Sequence, residues 1–188
     1  MHTSNRKRAA IAFVGAFALA SAAAITSPAQ AALSGDTTTT FTLTAGNLSI
    51  SAPASASLGS VATGTGTTSA QLGSVSVTDN RGALLGSWTT SVSSTDFTTG
   101  AATANETITK ASADYWSGAA TSTSGTGTFT PGQLLAANKV TLGATRTAFS
   151  ATVVVGNNSA AWNPTVIVNV PANAVAGAYS GTVTHSVA

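Results

Sequence analysis

The stretch Val75-Ser-Val-Thr-Asp-Asn-Arg-Gly-Ala-Leu-Leu-Gly-Ser-Trp-Thr-Thr-Ser-Val-Ser-Ser-Thr-Asp-Phe97 decides the fold. Val75 and Val77 lie two apart, so they share one face of a strand, and Asp79 follows on that face as the strand ends. Asp79-Asn80-Arg81-Gly82 and Gly86 carry turn chemistry: short polar side chains that tolerate tight backbone, and glycines free to take positive φ. Trp88, Thr90 and Val92 then alternate again. The pattern predicts strand, turn, strand, a hairpin over residues 72–97.

The same period extends outward in both directions. Phe41-Thr-Leu43 and Leu48-Ser-Ile50 alternate, and Gly46-Asn47 between them predicts a hairpin turn. Leu58 and Val61 are weak strand signals, and residues 63–69 read as a Gly/Thr/Ser loop. Beyond the central stretch, Glu106-Thr-Ile-Thr-Lys110 predicts a short strand and Asp114-Tyr115-Trp116 places two aromatics together. Residues 121–130 are low-complexity Ser, Thr and Gly with Phe129 as their one anchor, read as a flexible loop, and a turn follows over 131–135. Phe149, Ala151, Val153 and Val155 fall on one face of a strand. Asn157-Asn158-Ser159 opens a loop that carries Trp162. Val166-Ile-Val-Asn-Val170 is a strand after Pro164, residues 171–177 form a loop, and 179–187 close the chain as a final strand. No window after residue 31 shows the 3.6-residue helical period. Eight to ten short strands separated by turn signals predict an all-β fold, an antiparallel β-sandwich.

The N-terminus reads differently. Arg6, Lys7 and Arg8 precede an apolar, alanine-rich run over 9–24, and Ala29-Gln30-Ala31 is a small-x-small cleavage site. That is the pattern of a secretory signal peptide, helical and cleaved, over residues 1–31. The apolar run is short for a membrane span, so no span is expected after cleavage. Residues 32–40 then form a flexible leader and 41–188 one domain. Removal of 1–31 leaves Arg81, Lys110, Lys139 and Arg146 against Asp36, Asp79, Asp96, Glu106 and Asp114, a net charge of −1. The basic balance of the whole chain therefore belongs to the signal. Nucleic acid is not an expected partner, since its binding needs a basic patch. The absence of cysteine removes disulfides as a source of stability. The Ala, Thr, Ser, Gly and Val bias suggests a GC-rich genome.

Two blocks resemble the WxL family of bacterial cell-surface proteins. The first is Val77-Thr-Asp79-Asn-Arg81-Gly82 followed by Gly86-Ser-Trp88-Thr-Thr90, similar to the family's Asp-x-Arg-Gly and Trp-x-Leu. The second is Val170-Pro171, then Ala176-Gly177-Ala178-Tyr179, with Val183, His185 and Val187 at the later positions. Thr90 stands where the family has leucine, and His185 where it has its second tryptophan. The resemblance implies an Ig-like or WxL-like sandwich held non-covalently at a Gram-positive cell wall through peptidoglycan or an attached glycan, without enzymatic activity. It implies no cofactor. The sequence carries no LPxTG-type sorting signal, in keeping with non-covalent retention.

The candidate glycan- or wall-binding residues are Trp88, Trp116, Tyr115, Trp162, Asp79 and Arg81. Trp88 is read first as a core ring, and otherwise as a partly exposed ring that stacks on a sugar face. Trp116 with Tyr115, and Trp162, lie outside clear strands and are the better stacking candidates. Asp79 and Arg81 are read first as a pair that stabilises the turn. His185 is the one histidine left after cleavage and is expected to be partly buried and satisfied. With cysteine absent it makes no zinc site. A Ser-His-Asp triad can be drawn on paper, but no nucleophile-elbow motif supports it. Low charge and high β content suggest a second reading, a structural subunit that pairs with itself or with other surface proteins.

Overall fold

The computed structural model describes residues 35–64 and 66–188, so the expected signal peptide lies outside the described residues. Thr42–Ala188 form one compact unit. Its regular structure is antiparallel β-strand, with three single-turn 3-10 segments. The all-β class follows from the alternation of Val and Thr, whose branched side chains fit a pleated surface.

Six strands make the larger sheet: β1 (Leu48–Ser51), β3 (Val75–Asp79), β4 (Leu84–Ser94), β8 (Ala120–Pro131), β10 (Arg146–Trp162) and β12 (Val183–Val187). Four make the smaller, in the order β2 (Gly66–Gln71), β11 (Thr165–Val170), β7 (Ala113–Trp116) and β9 (Val140–Thr141). A short pair joins β5 (Phe97–Thr98) to β6 (Thr107–Ile108).

The expected hairpin over 72–97 does not form. Both β3 and β4 pair with β10, and they do so on the same edge. Val75 to Asp79 lie opposite Trp162 to Asn158, and Leu84 to Val92 opposite Val155 to Arg146. The chain therefore keeps its direction through residues 80–83, and the Asp-Asn-Arg-Gly segment interrupts one long strand without reversing it. Turn residues signal a local break, and only the partner strand decides whether the chain reverses there. On the far edge of this line β1 pairs with β3 and β12 pairs with β4. β8 covers the opposite edge of β10.

Four further expectations are corrected. Residues 41–44 form no strand, and Phe41 and Leu43 are exposed. Most of the predicted 63–69 loop lies in β2, paired with β11 along its whole length. The predicted 121–130 loop is β8. The predicted loop after Asn157 is the second half of β10, which runs unbroken to Trp162. In each of the last three the strand is made by the backbone of its neighbour, and the sequence lacks the apolar alternation that would have announced it.

The alternation within β10 also fails midway. Phe149 and Ala151 are buried, but Val153 is 58 % and Val155 43 % exposed, while Val154 is buried. Val153 takes a left-handed backbone (φ 55), and the register against β4 shifts between Ala151 and Val154. An extra residue inserted there flips every later side chain to the other face. The neighbouring strands break at the same level. Gly82 adopts φ 63 in the β3–β4 interruption, and Gly125 of β8 adopts φ 88, where a Cβ would meet the Asn157 carbonyl oxygen at 2.6 Å.

The inner faces of the two sheets share one buried cluster. Val75, Val77, Trp88, Val92, Phe149 and Trp162 enter from the larger sheet, and Ala113, Tyr115, Val166 and Val168 from the smaller. Each fully buried Val or Phe contributes about 1.5–3 kcal/mol relative to exposure.

Candidate functional site

The residues singled out in the sequence separate into two buried polar groups and one open face. The first group sits at the interruption between β3 and β4. Asp79 is 1 % exposed. Its Oδ1 accepts the Arg81 backbone N–H at 3.1 Å and Arg81 Nε at 2.9 Å. Its Oδ2 accepts Arg81 Nη2 at 3.0 Å and Asn158 Nδ2 at 3.2 Å. Asn158 Oδ1 in turn accepts the Trp88 indole N–H at 2.9 Å, and Arg81 Nη2 also donates to the Ser87 carbonyl at 2.8 Å. The Arg81 side chain beside it and the bond from Asn158 hold the Asp79 carboxyl below its usual range, against the opposing effect of burial. Every acceptor site of the carboxylate is thus used within the protein. The network ties β3, β4 and β10 together at the level where β3 gives way to β4 and β10 is bulged.

The second group bridges the sheets. Tyr115 of β7 is buried, and its hydroxyl lies 3.0 Å from His185 Nε2 and 3.4 Å from Trp162 Nε1. An indole N–H only donates, so the Tyr115 oxygen accepts from Trp162, and the direction of its hydrogen bond with His185 follows the imidazole tautomer. Burial lowers the His185 pKa to about 4 and raises that of Tyr115. Phe149 stacks on Trp162 at 4.8 Å between ring centres and lies 6.3 Å from Trp88. Trp88, Trp162 and Tyr115 are therefore core residues. The reading of Trp88 as a core ring agrees with the structure, while Trp162 and Tyr115 offer no surface for stacking on a sugar. Trp162 looked loop-borne because its strand lacks apolar alternation. Tyr115 points inward because its four-residue strand alternates Ala113 and Tyr115 inside with Asp114 and Trp116 outside.

Trp116 is the one tryptophan left partly open. It stands on the outer face of the smaller sheet, where Thr165 is its cross-strand neighbour and Ile167 faces Asp114. Thr67, Ser69 and Gln71 of β2 continue that face opposite Asn169, Ile167 and Thr165. Asp114 accepts Lys139 Nζ at 2.7 Å and Asn169 Nδ2 at 3.3 Å. The result is a hydroxyl- and amide-rich platform with one indole and one ion pair. Sequence reasoning found Trp116 but missed Thr67, Ser69, Gln71 and Asn169. Their common signal, polar residues at period two, is visible only once β2 is known to be a strand.

An open groove of about 690 Å³ lies beside residues 56–63, lined by Leu58, Val61, Phe97, Ile108, Val168 and Tyr179. Among the described residues no Asp, Glu, Lys, Arg or His lines it. No helix among the described residues is long and apolar enough to cross a membrane. No protein-family model matches the chain, and neither the curated proteins nor the solved structures contain a match.

Proposed function

We propose that this chain is an exported, non-enzymatic surface domain of a bacterium, an Ig-like or WxL-like sandwich that associates non-covalently with cell-wall glycan. The observation that carries the reading is the outer face of the smaller sheet. Sugars are bound by an aromatic ring against the apolar face of a pyranose and by side chains matched to its hydroxyls. Trp116 with Gln71, Asn169 and the Asp114–Lys139 pair supplies both on one plane. The juxtaposition of the two WxL-like blocks adds support. His185 and Val187 of the second block pair with Val92 and Thr90, just beyond Trp88 of the first.

The test is a pull-down of the chain on purified Gram-positive sacculi, beside Trp116→Ala. Retention that falls at least tenfold in the variant is the expected result. Retention indifferent to Trp116 would move the site off this face, and no retention at all would remove wall binding.

A second reading is favoured by a separate observation. β8 is a twelve-residue edge strand whose free edge makes no hydrogen bond among the described residues. Such an edge invites pairing with another chain. Self-association into a surface assembly is thus the alternative, and mature protein that sediments as a monomer at every concentration would exclude it.

A further inference from the structure

Four large apolar side chains stand together in solvent where β4 begins. Leu84 is 80 % exposed, Leu85 67 %, Val153 58 % and Val155 43 %. Leu84 lies opposite Val155 and Gly86 opposite Val154, so Leu85 is an extra residue between two pairs. The next pair joins Trp88 to Ala151, which leaves an extra residue on the β10 side, where Val153 sits. Two bulges thus face each other across one ladder, and a bulge re-aims the side chain it carries. Leu85 (φ 57) and Val153 (φ 55) are two of the three non-glycine residues with a left-handed backbone among the described residues. That conformation costs stability at a bulky or branched residue and persists only where the surroundings impose it.

Here the surroundings are the buried polar group and its neighbours. Arg81, fixed on Asp79, donates Nη2 to the Ser87 carbonyl at 2.8 Å. The Gly156 N–H donates to the Ala83 carbonyl at 2.8 Å. A Cβ on Gly86 would meet the Ala83 Cβ at 2.9 Å and Val154 Cγ2 at 3.2 Å, so the chain packs closely there. Ala83 and Ser87 are therefore pinned on either side of Leu84 and Leu85. Apolar residues scattered singly on a surface need no explanation, but a contiguous group held out by a braced backbone marks an interface. Among the described residues the cation beside this group is Arg81, which is committed to Asp79, so nothing there attracts anionic lipid headgroups.

A complementary surface exists on the same molecule. The groove lined by Leu58, Val61, Phe97, Ile108, Val168 and Tyr179 is apolar, and among the described residues no charged side chain lines it. It opens beyond the other end of β4: Leu84 starts the strand, Ser94 ends it and Phe97 follows. Ten steps of about 3.3 Å separate Leu84 from Ser94, roughly 33 Å, so the leucines cannot fill the groove of their own chain. We propose that Leu84 and Leu85 of one copy insert into this groove of a second copy, head to tail. An uncharged knob meets an uncharged groove, and the brace holds the knob in place before contact, so little ordering is lost on association. Because the two surfaces differ and lie at opposite ends of one strand, the contact is heterologous. Every pair keeps a free knob and a free groove, and the contact repeats into a row of copies or closes into a ring. The proposal rests on the self-association reading and gives it a surface other than the β8 edge.

The test is sedimentation velocity over a concentration series, on the chain, on Leu84→Asp/Leu85→Asp and on Val61→Asp. Leu84, Leu85 and Val61 are exposed, so each variant is expected to keep the thermal midpoint of the parent. Val175→Asp, at a second exposed residue of the groove, replaces Val61→Asp if that midpoint falls. The expected result is concentration-dependent association of the parent, weakened at least tenfold in either variant. Mixing the two variants is expected to restore association up to the dimer and no further, because the leucine variant keeps its groove and the groove variant keeps its leucines. A parent that stays monomeric overturns both the self-association reading and this contact. A parent that associates while the leucine variant does so equally overturns this contact alone, as does a mixture of the two variants that stays monomeric.

Discussion

Asp79 and Arg81 illustrate how a buried carboxylate governs its surroundings. Its acceptors are filled by Arg81 and Asn158, and Asn158 is in turn oriented by Trp88. Arg81→Ala would leave a buried charge without its cation, a loss of roughly 3 kcal/mol in urea unfolding. Arg81→Lys is expected to restore only part of this, since an ammonium lacks the planar fork that reaches both carboxylate oxygens. The sequence pointed to this pair as a stabiliser of a turn, and the geometry gives it instead an interruption between two collinear strands to hold. What it did not offer was Asn158, which lies 79 residues from Asp79. Thr90 is the opposite case. It is fully buried, and its hydroxyl finds no hydrogen-bond partner among the described residues. Thr90→Val keeps the shape and removes the unpaired group, so a gain of about 1 kcal/mol is expected in the same measurement.

At the scale of elements, the irregular level across β4, β10 and β8 is where sequence patterning and structure part. Val153 was expected to share the buried face with Phe149, Ala151 and Val155, and it stands exposed in a left-handed conformation. A β-branched residue there is strained by about 1–3 kcal/mol. Val153→Gly removes the strain and gives up little burial, so a higher unfolding midpoint is the expected outcome. A lower midpoint would mean that the Val153 side chain contributes more through its contacts than its exposure indicates. β2 and β8 were illegible for a different reason. Their Thr, Ser and Gly residues carry no apolar signal, and their strand state is imposed by pairing with β11 and β10.

At the scale of the whole molecule, the sheets are joined by a polar contact inside the core, Trp162 to Tyr115 to His185. Among the described residues the phenol is the one polar group that hydrogen-bonds the His185 ring. Burial holds His185 at about 4 in the folded state, against an ordinary value of 6.5. Below the ordinary value the unfolded chain takes a proton that the folded chain refuses. Stability is therefore expected to fall as pH drops from about 6.5 to about 4, and this contribution levels off below that. Urea midpoints across this window check the sign, and His185→Gln should flatten the slope. Asp79, whose carboxyl is held low, acts in the opposite range: its contribution is present above the ordinary carboxylate value and is lost only in stronger acid.

The sequence by itself determined that the chain is built of antiparallel strands, that Trp88, Thr90 and Val92 share a face, and that the strand from Val75 ends at Asp79. These are local matters of period and backbone freedom, and a short window contains them. Only the tertiary structure decided that β10 runs beside both β3 and β4, that Trp162 and Tyr115 are core, and that Trp116 stands on an open polar face. Those outcomes depend on backbone pairing and packing between residues far apart in the chain, such as Trp88 with Asn158 and Tyr115 with His185, each 70 positions away. No local pattern encodes which of several compatible partners a strand will meet.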